Sequence, residues 1–170
     1  MNKSNIVLVG MPGAGKSTVG VVLAKSVGKP FVDTDLLIQQ RYGMLLQQII
    51  DKYGIKKFLE MEEKVVTELD VKDHVIATGG SVIYSDSALN RLKRNGIIVY
   101  LKLTFNEIEK RIKDFKSRGI AKEKGTTLLD VYNERVPLYE KHADVTIICS
   151  NKNIEDIVFE IKENIDTHCK

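Results

Sequence analysis

Short runs of apolar, mostly β-branched residues recur at Ile6–Val9, Phe31–Val32, Val75–Ala77, Ile97–Leu101 and Val145–Ile148. Most lack the in-and-out alternation of a half-exposed strand, so they predict strands covered on both faces. Between them lie stretches of helical period. Val19, Val22, Leu23 and Val27 form one stripe, Leu89 and Leu92 a second, and Ile154, Ile157, Val158, Ile161 and Ile165 a third. Each stripe predicts a helix with its apolar face in the core. The first helix has a clear stop, because Gly28 can take a left-handed C′ conformation and Pro30 cannot continue the helix. Strands alternating with helices predict an α/β fold of three layers, a parallel sheet between two layers of helices joined by right-handed crossovers. One stretch breaks the pattern. Lys113 to Thr127 is polar, contains Gly119 and Gly125, and reads as an excursion of the kind that serves as a surface connection or a lid.

Length and composition narrow this picture. The 170 residues fit one domain over 1–170, with no room for a second. At 43% hydrophobic and 29% charged residues the chain is neither disordered nor fibrous. The net charge of +3 is spread among acidic residues without a basic stripe, which argues against nucleic acid as the partner. The two cysteines, Cys149 and Cys169, have no metal-ligand spacing, and a reducing compartment is expected. The N-terminal segment runs through a short apolar strand straight into glycines, so neither a signal peptide nor a membrane partner is expected. The expectation is a cytoplasmic, monomeric protein acting on a small molecule.

The strongest chemical signal is Gly10-Met11-Pro12-Gly13-Ala14-Gly15-Lys16-Ser17, a GxxxxGK[ST] phosphate-binding loop between a predicted strand and a predicted helix. Glycines let successive backbone N–H groups turn toward phosphates, and the following helix presents its positive end to them. Lys16 adds a point charge toward the β and γ phosphates, and Ser17 is placed to ligate Mg2+. The expected ligand is therefore ATP with Mg2+.

Asp33-Thr34-Asp35 falls at the end of the second predicted strand, the edge where open parallel sheets bind ligands. On an extended segment the two carboxylates point to opposite sides, which suits one for the metal and the other for an acceptor hydroxyl. After the third strand, Ala77-Thr78-Gly79-Gly80-Ser81 offers a glycine turn whose backbone can approach a substrate closely.

These motifs, with Arg135-Val136-Pro137-Leu138-Tyr139, resemble the shikimate kinase family in order and spacing over nearly the whole chain. The resemblance implies a five-stranded parallel sheet in the order 2-3-1-4-5, a lid over the nucleotide at about 113–127, and substrate-binding helices at about 35–68. It also implies ATP-dependent phosphorylation of the 3-hydroxyl of shikimate. Carried over by position, Gly13, Ala14, Gly15, Lys16, Ser17 and Thr18 bind the nucleotide, with Arg111 near the adenine and Arg118 reaching over the phosphates from the lid. Ser17 and Asp33 hold the metal. Asp35, Gly80 and Arg135 bind the acceptor, Arg135 through a carboxylate, and Lys16, Asp35 and Arg118 are the catalytic set.

Three positions depart from the family pattern, all on the acceptor or lid side. Leu59 stands where the family's Phe-Arg-x-x-Glu has its arginine, within Phe58-Leu59-Glu60-Met61-Glu62. Ser81 replaces the third glycine of GGG, and Arg118-Gly119-Ile120 replaces Arg-Pro-Leu-Leu. An aliphatic side chain cannot reproduce a bidentate arginine–carboxylate contact. Lys56, about one turn before Leu59, is a candidate substitute for the charge. The other readings are a kinase of another small hydroxylated acceptor and a non-catalytic ATP-binding regulator.

Overall fold

A computed structural model describes residues 3–113, 120–122 and 125–168. Within them β1 (Asn5–Val9), β2 (Phe31–Asp33), β3 (Val75–Ala77), β4 (Gly96–Lys102) and β5 (Val145–Ile148) pair in parallel as one sheet in the order β2-β3-β1-β4-β5. Each apolar run read from the sequence lies inside one of these strands. Every residue of β1 and β3 is buried, and so is all of β4 except Lys102, as continuous apolar strands require. The edge strands differ. β2 is half-buried throughout, and β5 alternates, leaving Ile148 59% exposed. An edge strand has a ladder partner on one side only and lies where the covering layers end, so apolar sequence there does not guarantee burial.

The helices are α1 (Lys16–Val27), α2 (Thr34–Tyr42), α3 (Leu46–Thr67), α4 (Asp86–Asn95), α5 (Phe105–Lys113), α6 (Leu128–His142) and α7 (Ile154–His168). Val19 and Leu23 of α1, Leu89 and Leu92 of α4, and Ile157, Val158 and Ile161 of α7 join the central strands in the main apolar core. Gly28 ends α1 with φ 67° and donates its N–H to the Ala24 carbonyl. α1 packs against α7, and α3 against α4.

A second, smaller core gathers Ile38, Ile49, Phe58, Met61, Val65 and Ala121 around α2 and α3. These helices occupy the range expected for substrate-binding helices, and α3 bends at Gly54, whose φ is 79°. Much of the expected lid, with Arg118 and Gly119, lies outside the described residues. Ala121 is buried within the second core, so this polar stretch contributes an apolar contact that its composition did not announce. The stretch closes at Thr127, whose side chain caps α6 while Asp130 bonds back to the Thr127 N–H.

Among the described residues no helix is long and apolar enough to cross a membrane. Cys149 is buried, and burial pushes its thiol up to about 11, which makes it unreactive. Cys169 lies outside the described residues.

Candidate active site

The segments that follow β1, β2 and β3 all leave the carboxyl ends of their strands, and there they enclose a cavity of about 350 Å³. The first segment is the phosphate loop. Gly13 and Gly15 have φ of 81° and 94°, left-handed conformations that an L side chain adopts only with strain. Gly15 is also the N-cap of α1, and no side chain caps that helix start. Gly15, Lys16 and Ser17 line the cavity, so the start of α1 stands at its wall, where helix donors favour an anion. Lys16 is buried, and its Nζ donates to the carbonyls of Gly10 at 2.7 Å and Met11 at 3.0 Å, so the ammonium is held against the loop. Arg111 of α5 donates from Nη1 to the Gly13 carbonyl at 3.2 Å, tying α5 to the back of the loop.

The sequence placed Asp33 and Asp35 on one extended segment, and here the structure corrects it. Asp33 ends β2 and caps α2, its Oδ1 accepting from the N–H groups of Asp35 at 2.9 Å and Leu36 at 3.4 Å. The chain therefore turns helical at once, and Asp35 sits in the first turn of α2. An aspartate that satisfies two orphan helix donors wins over continued extension. The other oxygen of Asp33 accepts from Ser17 Oγ at 2.6 Å, so two oxygen donors meet beside the phosphate loop. Asp35 stays on the cavity wall, now presented by a helix.

Gly79, Gly80, Ser81 and Arg135 also line the cavity. Arg135 is no surface cation. It is 1% exposed, donating from Nε to Tyr84 Oη at 3.0 Å and from Nη2 to the Ala121 carbonyl at 2.5 Å. Its guanidinium also lies over the Tyr84 ring, 5.0 Å from the centroid. A Cβ on Gly80 would meet Pro12 Cδ at 2.8 Å and Arg135 Nη1 at 3.0 Å, so only glycine lets the loop, the arginine and this turn meet. Tyr139 fixes the turn from α6 by donating to the Gly80 carbonyl at 2.5 Å.

Glu62 of α3 is a site residue to which the sequence reading gave no role. It is 2% exposed and lines the cavity, and its Oε2 accepts from Ser81 Oγ at 2.7 Å. Burial, opposed by the Ser81 hydrogen bond and reinforced by the Asp35 charge, pushes its carboxyl up to about 7; Arg135 and Lys16 pull it down. The signal in the sequence was its place at the end of the Phe58–Glu62 stretch, which needed the fold to acquire meaning. Because the folded state keeps a proton that the unfolded carboxyl releases near 4.5, this group makes stability fall as pH rises from there through about 7. We expect Glu62→Gln to remove that slope and to gain on the order of 3 kcal/mol over the wild type at pH 8 relative to pH 4. Urea denaturation of both proteins at the two pH values measures this, and parallel stabilities would show that the carboxyl is not held protonated.

Other expected residues stand apart. Thr18 is exposed, Ala14 is buried, and neither lines the cavity. Arg118 lies outside the described residues. Leu59 is half-buried and packs on the second core away from the cavity lining, while Lys56 is exposed and also outside it, so Lys56 does not supply the missing charge there. Among the described residues no cluster of three or more histidine, cysteine or acidic side chains is arranged to hold a metal.

A glycine loop of this build on the central strand of a parallel sheet is that of the P-loop nucleotide-binding proteins. Within that class the chain belongs to the shikimate kinase family, whose sequence profile matches residues 12–166. The chain is 32% identical over 165 residues to the shikimate kinase of Dehalococcoides mccartyi, with 96% of this chain and 94% of that one covered. It is 36% identical over 160 residues to that of Caldanaerobacter subterraneus, covering 92% and 93%. Among solved structures, the shikimate kinase of Acinetobacter baumannii in complex with shikimate superposes with a TM-score of 0.90 at 34% identity, over 97% of this chain and 94% of that one.

Proposed function

We propose that the protein is an ATP- and Mg2+-dependent kinase that transfers the γ-phosphoryl group to the 3-hydroxyl of shikimate. The observation that carries this reading is a single cavity lined both by the phosphate loop with Lys16 and by the buried Arg135. Full-length similarity to a structure described as a shikimate complex supports the choice of acceptor.

In this reading the N–H groups of Gly13 to Ser17 and the Lys16 ammonium hold the β and γ phosphates, and Arg111 closes the nucleotide side. Ser17 and Asp33 provide hard oxygen donors of the type Mg2+ takes, few in number and completed by phosphates and water. When bound, Mg2+ neutralises charge on the phosphates. Arg135 and the Gly80 turn receive the acceptor carboxylate, which sets the ring so that one hydroxyl faces Asp35. That oxygen attacks the γ phosphorus as the bond to ADP breaks, and its proton passes to Asp35.

ADP release by the purified protein with ATP, Mg2+ and shikimate tests the reading. Saturable, shikimate-dependent turnover is expected, and its absence with intact ATP binding would overturn it.

One observation favours a second acceptor. Beside Lys16 of the phosphate loop, Arg135 is the one arginine or lysine among the described residues lining the cavity, since position 59 is a leucine that packs against the second core. A panel of other hydroxylated acids and polyols in the same assay distinguishes the two, since a better acceptor than shikimate would transfer the assignment to it.

A further inference from the structure

Two of the chain's departures from the family pattern, Leu59 and Ser81, bear on one carboxylate. Leu59 precedes Glu62 by three residues on α3, the spacing at which helical side chains are neighbours. Being aliphatic, it brings no cation to Glu62. Ser81, from the turn after β3, donates its hydroxyl to Glu62 Oε2 at 2.7 Å, and both side chains are buried. The remaining oxygen, Oε1, has no hydrogen-bond partner among the described residues. It lies over Gly79, where a Cβ would overlap it and would also stand 2.8 Å from Asp35 Oδ1. Glu62, Gly79 and Asp35 all line the cavity. A buried acceptor left unmet in a site that takes a ligand is an acceptor kept for that ligand.

We propose that Ser81 and Glu62 form a pair that reads the acceptor's hydroxyl groups: Ser81 holds one oxygen of the carboxylate and so presents the other, beside Asp35 Oδ1, to neighbouring hydroxyls. Glu62 binds and Ser81 positions. The inference deepens the acceptor reading above and rests on it. Arg135 then anchors the single carboxylate, and hydroxyl hydrogen bonds to Glu62 and Asp35 supply the recognition that a second cation would otherwise give. The expected acceptor class is a polyhydroxylated acid with neighbouring hydroxyls. A site built to bind a hydroxyl rejects the analogue lacking it, because its buried oxygen is then left unpaired.

The charged groups facing Glu62 are Asp35 from α2, Lys16 from α1 and Arg135 from α6. Removing the Ser81 hydroxyl deletes a hydrogen bond that favours the ionised carboxylate, so Glu62 keeps its proton to higher pH.

The test measures ADP release by the wild type, Ser81→Ala and Glu62→Gln, from about pH 5 to 9. Shikimate is compared with analogues that each lack one ring hydroxyl. We expect the wild type to prefer shikimate over at least one analogue by about ten- to a hundredfold in kcat/KM, and Glu62→Gln to lose most of that preference with KM for ATP unchanged. Ser81→Ala is expected to move the acidic limb of kcat/KM upward by about one pH unit. Undiminished discrimination in Glu62→Gln overturns the proposal, and so does a Ser81→Ala defect equal at every pH, which would mark a purely structural serine. Should Glu62→Gln fail to fold, the Ser81→Ala profile decides alone. If the wild type turns over another hydroxylated acid but not shikimate, the acceptor assignment fails. The pair is then judged on that acid and its deoxy form. No turnover of any acceptor overturns both.

Discussion

Replacing Lys16 by methionine is expected to lower kcat for ADP release by about a hundred- to a thousandfold, the usual cost of removing one preorganised group at developing transition-state charge. Lys16 is the buried cation of the phosphate loop, and the Gly10 and Met11 carbonyls hold its ammonium at the loop. Methionine keeps the length and apolar body of the side chain and removes the charge. The two carbonyls lose a donor, which costs stability of about 1 to 3 kcal/mol, so a thermal melt must accompany the kinetics. A folded variant with kcat near that of the wild type would show that the loop lysine does not act on the transferring phosphate, and the catalytic assignment would fail. A variant that does not fold would show that Lys16 is chiefly structural.

The second large effect is expected at Arg135. Arg135→Lys keeps a positive charge at the acceptor end of the cavity but loses the planar fork that can face a carboxylate while bonding Tyr84 and the Ala121 carbonyl. Truncating one partner of a buried charge pair costs about 2 to 5 kcal/mol, so KM for shikimate should rise at least about thirtyfold. KM for ATP should move little by comparison, because the hydrogen bonds of Arg135 run to Tyr84 and the Ala121 carbonyl and not to the residues that hold the nucleotide in this reading. Equal changes in both constants would mean that the substitution disturbs the site as a whole, since Arg135 also fixes Tyr84 and the chain at Ala121. An unchanged KM for shikimate would remove Arg135 from the acceptor site.

Much of the fold was legible because it depends on local periodicity. Continuous apolar runs marked the five strands, and i, i+3, i+4 stripes marked α1, α4 and α7. Where burial depends on a neighbour rather than on the run itself, the pattern misled, as Ile148 on the edge strand β5 shows. The candidate site divides in the same way. The phosphate loop was legible as chemistry because its function resides in contiguous backbone. Asp33 and Asp35 were legible as residues but not as geometry, since the switch from strand to helix depends on Asp33 capping its own successors.

The sequence by itself determined the strand–helix alternation and the phosphate loop with Lys16 and Ser17, each carried by residues close together in the chain, and the family pattern, carried by short motifs in a set order along it. The tertiary structure decided the acceptor half. It buried Arg135 against Tyr84, 51 residues away, and against Ala121, 14 residues away. It joined Ser81 to Glu62 across 19 residues and sent Leu59 into the second core. Such contacts form where segments that leave different strands converge at one sheet edge. A side chain's role there is set by what the fold brings opposite it, which no local pattern of residues encodes.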